Sequence, residues 1–493
     1  MQEKFDRLYK LSKENSKFKK LMNIISDKDN ILLAYRNIKK NKGSVTVGTD
    51  GKNIETYQNW NEDEFVKYFR DKLQSYNPKS VRRVNIPKPN GKLRPLGIPC
   101  MDDRIIQQCI KQVLEPICEA KFHKHSYGFR PNRSTKHAIA RSMTLANNAK
   151  CHYVVDIDIK GFFDNVNHAY FVRYADDFKI FCKDYITAKK IFIATTNWLK
   201  ERLGLDISLE KSKITNLRKN KSEFLGIALY VKPSKNKLVC HSNISEKSKK
   251  RMVDNLKKQI KVIQRYPIRK EVRKLNSMIL GIHNYYNCAT KASYDFGDIN
   301  FLVLKTLGNR LRKCKSKKGI RTATYEKLYG KYHGKLITVS GVTILPIYGC
   351  MYERLFSFKQ VICNYTEEGR ILIHQRIRSY NHIINYLLTV KQDNQSVEYN
   401  DNRISLMVGQ RGKCALTGEP LDILDMECHH KKPKELGGTD EYKNLVWVKS
   451  TVHKLIHCSK QETINKYLNS IWLNEESMKK LNSLKRQVGN PII

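Results

Sequence analysis

Apolar residues recur along this chain in two rhythms, and the architecture is expected to change where the rhythm does. Residues 1–80 are polar with helical spacing, and "DKDNILLAYRNIKKNKG" ends in a Lys-rich turn at Gly43. In "VRRVNIPKPNGKLRPLGIP" (81–99) apolar and β-branched residues flank "KPNG", whose Pro and Gly favour a tight reversal, so two strands around a turn are predicted. From Asp102 a helix should follow, with Ile105, Ile106, Cys109, Ile110 and Val113 on one face. Residues 151–182 are strand-like and apolar, interrupted by acidic clusters. "LGLDISLEKSKIT" and "SEFLGIALYV" add strand and turn pieces, so a mixed α/β domain should extend to about residue 235. Beyond residue 241 the period becomes helical. Val253, Leu256, Ile260 and Ile263 share one face, and so do Leu275, Met278, Ile279, Ile282 and Tyr286. Residues 336–405 carry no distinctive pattern, and from about 406 a compact segment begins, dense in His, Cys and Gly. A chain of 493 residues should form several domains, because single cores stop growing well below this length.

Charge changes the picture more than composition does. Hydrophobic residues at 40% and charged residues at 28% are ordinary for a globular protein, but 92 Lys+Arg against 47 Asp+Glu leave +45. Such a protein attracts polyanions, so nucleic acid is the first partner to expect. The basic residues run through the whole chain, and in the helical region the excess is lopsided: residues 241–275 hold 12 basic residues against 3 acids and 301–333 hold 10 against 1. No lipidation signal, amphipathic anchor or membrane-length apolar run points to a membrane partner. The N-terminal residues lack the continuous apolar stretch of a signal peptide. The 13 cysteines are scattered without paired CxxC spacing, as expected of reduced thiols in a cytoplasmic protein.

Two stretches carry candidate chemistry. The first is "DIDIKGFFDNVNHAYFVRYADD" (156–177). A strand–turn–strand hairpin would place Asp176 and Asp177 at its tip, and alternation puts Asp156 and Asp158 on one face of "VVDIDI". If that strand pairs with the hairpin, Asp158 meets Asp176 and Asp177. Carboxylates gathered in a low-dielectric site repel one another, so such a cluster is expected to hold divalent cations. Two Mg²⁺ ions could activate an attacking hydroxyl and stabilise the leaving oxygen of a phosphoryl transfer. Adjacent acids also mark ordinary surface turns, so "YADD" alone decides little. The second stretch is "CALTGEPLDILDMECHHKKPKELGGTDEYKNLVWVKSTVHKLIH" (414–457). His453 and His457, four apart on a helix, would grip one metal, with His429 as a third ligand from a strand. His430, pointing the other way along that strand, is free to act as a general base on water, and Asn444 is expected to fix the loop through backbone hydrogen bonds.

The motifs "IPKPNGKLRPLGIP", "HSYGFRPNRST", "DIKGFFDNVNH", "FVRYADDFKIF", "LEKSKIT" and "FLG" occur in this order. Together they resemble the finger and palm motifs of group II intron reverse transcriptases. "LNSMILGIHNYYN" resembles the maturase (thumb, or X) domain of the same proteins, and the His-rich segment resembles an HNH endonuclease. The resemblance spans residues 5–475. It implies a multidomain α/β and α protein: reverse-transcriptase fingers and palm over 1–235, thumb over 236–335, a DNA-binding region over 336–405, a ββα-metal HNH domain over 406–475 and a tail over 476–493. Carried over by motif, Asp158, Asp176 and Asp177 hold catalytic Mg²⁺, with the Ile159 carbonyl as a further ligand. Phe163 would sit beneath the sugar and favour deoxynucleotides. Lys88 and Arg94 would hold the triphosphate, and Arg130 would lie near template or nucleotide. The resemblance also implies Mg²⁺ or Mn²⁺ at the HNH site. Its expected partners are group II intron RNA, target DNA and deoxynucleotides. A structural zinc is not expected, because the two CxxC pairs of many similar tails are missing.

One departure stands out. Family members carry a long segment between "FDNVNH" and the strand leading to "YADD", including a "PQGG"-like motif, whereas here "NVNH" runs almost directly into "AYFVRYADD". A palm so shortened should position its nucleotide badly, and this chain is predicted to polymerise poorly or not at all. Two readings stay open: a multifunctional reverse transcriptase, maturase and nuclease, or a polymerase-defective RNA-binding splicing factor that keeps its nuclease. Tyr285 and Tyr286 could stack on unpaired bases or fill the helical core.

Overall fold

The polar N-terminal residues become helices because each carries one apolar stripe. Helix Gln2–Lys13 buries Phe5 and Leu8, helix Lys28–Lys39 buries Ile31, Ala34 and Tyr35, and helix Glu62–Gln74 buries Phe65, Phe69 and Leu73. Asp27 and Asn61 start the latter two by accepting hydrogen bonds from Asp29 and Asp63 backbone N–H groups. The helix predicted from Asp102 is Met101–Lys121, with Ile105, Ile106, Cys109 and Val113 buried in the same core. β1 (Arg82–Pro87) and β2 (Leu93–Ile98) form an antiparallel pair, and the "KPNG" residues expected to make the turn lie outside the described residues.

This computed structural model describes residues 1–87, 93–158, 171–175, 177–204, 207, 212–316, 319, 321–373, 381–390 and 395–493. They form two compact units, one of Met1–Lys121 with Cys363–Ile493 and one of Phe122–Ile362. The expected 1–235 domain is thus divided at residue 121, and its first part groups with the C-terminal residues.

The unit Phe122–Ile362 is built on two antiparallel sheets. The strands β3 (Tyr153–Asp158), β4 (Phe171–Tyr174), β5 (Asp177–Cys182) and β6 (Lys213–Asn216) lie in the order β4-β5-β3-β6. Alternation gives this sheet two buried faces. Val155, Ile157, Phe178 and Ile180 pack with Ala188 and Leu199 of helix Tyr185–Leu203, while Val154, Val172 and Phe181 join the larger core. The second sheet is a meander of β7 (Ser222–Phe224), β8 (Ile227–Ser234) and β9 (Lys237–Ile244). Phe224 pairs with Ile227, so Leu225 and Gly226 form the turn, with φ of 53° and 77°. The glycine of "FLG" meets that left-handed demand without strain.

Helices Glu246–Arg265, Arg269–Tyr286 and Ala292–Arg310 continue this core. Val253, Leu256, Ile260, Ile263, Leu275, Ile279 and Tyr286 are buried as their spacing predicts, and Met278 and Ile282 pack at the margin. A minimal ladder of β10 (Thr338–Val339) and β11 (Val342–Thr343) closes the region.

The His-rich segment is a ββα arrangement. β12 (Glu427–His430) pairs antiparallel with β13 (Leu445–Val448), and helix Ser450–His457 follows directly. Its core extends beyond 406–475. Helix Val397–Gly409 contributes Ile404, Leu406 and Met407, and helix Glu475–Gln487 contributes Leu481 and Leu484. Residues 476–493, expected to be a tail, are therefore an integral part of this domain. Their docking is fixed by a buried lysine, since Lys485 Nζ donates to the carbonyls of Leu455 (3.2 Å) and Cys458 (2.7 Å) at the end of the histidine helix. Among the described residues no helix is long and apolar enough to cross a membrane.

Candidate functional sites

The first site lies at the end of β3. The register pairs Asp158 directly with Asp177 on β5, and Tyr174 with Asp177 across the β4–β5 hairpin. The two strands of "YADD" are thus connected by positions 175–176 alone. Ala175 takes a left-handed φ of 57° there. Support comes from "HSYGF": Tyr127 N–H donates to Arg173 O (2.9 Å), and Arg173 N–H donates to His125 O (3.1 Å). The backbones approach so closely that a Cβ on Gly128 would stand 2.2 Å from the Ala175 nitrogen, so only glycine fits. Arg130, expected near template or nucleotide, is instead buried in this loop. Its guanidinium donates to the carbonyls of His123 (2.6 Å) and Ser126 (2.9 Å).

Asp156 shares the alternation of Asp158 but has a different job. Its carboxylate pairs with buried Lys179, the residue opposite it on β5, and accepts hydrogen bonds from Ser222 (3.1 Å) and Thr215 (3.3 Å). Lys179 also lies over the Phe224 ring of "FLG". Asp156 is therefore a structural anion whose charge is neutralised by protein.

Arg94 lies exposed on β2, opposite Ile86. Lys88, Ile159, Phe163 and Asp176 lie outside the described residues, as does the Asp158 side chain. Tyr285 and Tyr286 are core residues. They pack edge to face at 4.7 Å, Tyr286 is buried, and Tyr285 Oη donates to Leu225 O (3.0 Å), bracing the "FLG" turn.

The second site is the histidine group. His429 on β12 meets His453 and His457, one helical turn apart, and one ligand atom from each lies within 4.8 Å of the others. His429 is 2% exposed, and its Nε2 is buried without a hydrogen-bond partner. Its Nδ1 lies 3.4 Å from His457 Nε2. Burial, reinforced by the neighbouring histidines, lowers its pKa to about 3. Burial also lowers those of His453 and His457, helped respectively by His457 and by Lys485. All three rings are therefore neutral at neutral pH, the form that ligates metal. An orphaned buried imidazole nitrogen among three neutral rings fits a divalent cation. Cys414 is buried in the domain's hydrophobic core, and the histidine group is the one such cluster among the described residues.

His430 faces the other way along β12. Its ring stacks on Tyr399 (5.4 Å, 10°), and its Nε2 lies 2.8 Å from Asp440 Oδ1. Asn444 ties the intervening loop: it accepts from Lys432 N–H (2.9 Å) and donates to the carbonyls of Lys432 (3.0 Å) and Thr439 (2.8 Å). Sequence reasoning missed Lys179, Asp440 and Tyr399. Only the Asp440 position, two residues after the Gly-Gly turn, carried a signal.

Comparison with known proteins bears on the first site. Residues 86–173 match the family model described as reverse transcriptase (RNA-dependent DNA polymerase). This stretch is similar to a reverse transcriptase. Among relatives, "Protein YkfC" of Escherichia coli is 40% identical over 157 residues, which are 31% of this chain and 41% of that protein. "Group II intron-encoded protein LtrA" of Lactococcus lactis is 36% identical over 167 residues, 33% of this chain and 27% of LtrA. "Putative COX1/OXI3 intron 1 protein" of Saccharomyces cerevisiae is 32% identical over 157 residues, 31% of this chain and 18% of that protein. The matched part spans less than half of each of these relatives.

Proposed function

We propose that this chain is a group II intron-encoded protein with a reverse-transcriptase palm, a maturase-like helical region and an HNH nuclease. The observation that carries the palm reading is the register placing Asp158 opposite Asp177 beside the "YADD" turn, in a stretch similar to reverse transcriptases. Asp158, Asp176 and Asp177 would hold Mg²⁺, while Lys88 and Arg94 receive the triphosphate of a deoxynucleotide and Phe163 supports its sugar. The names of two relatives, which describe intron-encoded or intron proteins, support intron RNA as a partner. The +45 charge supplies the general attraction to it.

For the nuclease, His429, His453 and His457 would hold Mg²⁺ or Mn²⁺ against target DNA. The bound ion would stabilise negative charge on the leaving 3′ oxygen. His430 takes the proton of the attacking water, and Asn444 keeps the loop in register.

The short connection over residues 159–170 favours weak polymerisation, since a misplacement of about 1 Å costs roughly a hundredfold in rate. Primer extension on an RNA template, run beside intron splicing and plasmid nicking, tests the whole reading. Splicing and nicking should be retained, with extension roughly a hundredfold below that of a relative carrying the long palm segment. Processive cDNA synthesis by the purified chain would refute the polymerase-weak version, and absence of intron RNA binding would refute the intron assignment.

A further inference from the structure

One carboxylate beside the proposed nuclease is used by none of the chemistry above. We propose that Asp440 is the positioning residue for His430, fixing both the orientation of its ring within the plane that Tyr399 sets and which of its nitrogens carries hydrogen. This rests on the nuclease reading.

Asp440 is firmly held. Its side chain is 10% exposed. One oxygen faces His430 Nε2, and the other accepts from Ser396 Oγ (2.7 Å) and Lys434 Nζ (3.1 Å). Its backbone carbonyl accepts from Asn402 Nδ2 (2.7 Å). Asn402 Oδ1 in turn accepts from Lys39 Nζ (2.8 Å), so the support reaches helix Lys28–Lys39. Burial raises the carboxyl pKa, but hydrogen bonds from His430, Ser396 and Lys434 outweigh it and hold the group at about 2.

An ionised carboxylate only accepts hydrogen bonds, so His430 Nε2 must donate. The imidazole lone pair is then confined to Nδ1. Tyr399 clamps the ring from one face, which leaves rotation within that plane as the freedom Asp440 removes. In hydrolysis, Nδ1 accepts a proton from water as the water oxygen bonds to phosphorus. The bond from phosphorus to the 3′ oxygen breaks, and its electron pair leaves with that oxygen. A ring free to turn, or carrying hydrogen on Nδ1, could not accept that proton. A base held by a third group in this way follows the general logic of oriented imidazoles.

The test uses the full chain with supercoiled plasmid and Mg²⁺ or Mn²⁺. Asp440→Ala should lower kcat for nicking roughly a hundredfold while KM for DNA stays within about twofold. Asp440→Asn, which keeps an acceptor oxygen, should recover most of the loss. In ¹⁵N-histidine-labelled protein, His430 should appear as the Nε2–H tautomer, and Asp440→Ala should convert it to a mixture. Wild-type nicking by Asp440→Ala, with nicking lost in His430→Ala, would overturn this inference alone. So would a lowered melting temperature with unchanged kcat, which marks a structural role only. If His430→Ala nicks normally, or the unaltered protein does not nick at all, the nuclease reading falls and this inference falls with it.

Discussion

The two candidate sites use the same device, an antiparallel strand pair that sets distant residues side by side, yet they solve opposite electrostatic problems. On β3 and β5 the residues are carboxylates, whose mutual repulsion grows as water is excluded. The sheet neutralises one of them itself by placing Lys179 against Asp156, while the register pair Asp158 and Asp177 belongs to the proposed Mg²⁺ site. On β12 and the following helix the residues are histidines. Burial drives His429 down to about 3, so three rings can crowd together uncharged before any metal arrives. The difference is instructive: imidazoles can be preassembled at little electrostatic cost, whereas carboxylates need a cation or a lysine in place.

The largest expected effects separate the regions outright. Removal of a metal ligand should cost several kcal/mol of transition-state stabilisation, on the order of a thousandfold. His429→Ala should therefore abolish nicking with primer extension unchanged, and Asp177→Ala should abolish residual extension with nicking unchanged. Parallel assays of both variants check this. Loss of both activities in either variant would show that the sites are not independent.

The internal neutralisation can be broken next. Lys179→Met strands the buried Asp156 carboxylate and should destabilise the unit Phe122–Ile362 by about 3–5 kcal/mol. The double variant Lys179→Met with Asp156→Leu should recover most of that in thermal melts. An unchanged midpoint for the single variant would mean that the pair contributes little.

A smaller effect comes from His283, buried in that unit between Tyr329 Oη (2.7 Å) and Ile347 O (3.0 Å). Burial depresses its pKa to about 4, although its contact with the Ile347 carbonyl pulls the other way. The unfolded chain regains an ordinary histidine pKa near 6.5, so it binds the proton first as pH falls. The contribution is complete above about pH 6.5 and is lost progressively towards pH 4, by roughly 3 kcal/mol. Denaturant midpoints at pH 7 and pH 4.5 should differ in this sense, and His283→Gln should flatten the difference.

Much of this was legible in the chain. The helical stripes at Val253–Ile263 and Leu275–Tyr286 are buried as their spacing requires, because one apolar face per helix has a single favourable place to go. The pairing of β1 with β2, the "YADD" hairpin and the Asn444 loop brace also follow from local residue chemistry, as does the meeting of His429, His453 and His457. What stayed hidden depends on partners far away in sequence. Asp156 looks like Asp158 until β5 sets Lys179 opposite it, and Arg130 looks like a substrate contact until its own loop closes around it.

The sequence by itself determined where strands and helices form and which residue types could carry chemistry, since period and turn preference are local properties. Only the tertiary structure decided which acids are neutralised, that the last helix belongs to the histidine domain through Lys485, and that Asp440 faces His430. Those outcomes are set by cross-strand register and buried polar pairing, and neither is written in the spacing of any one segment.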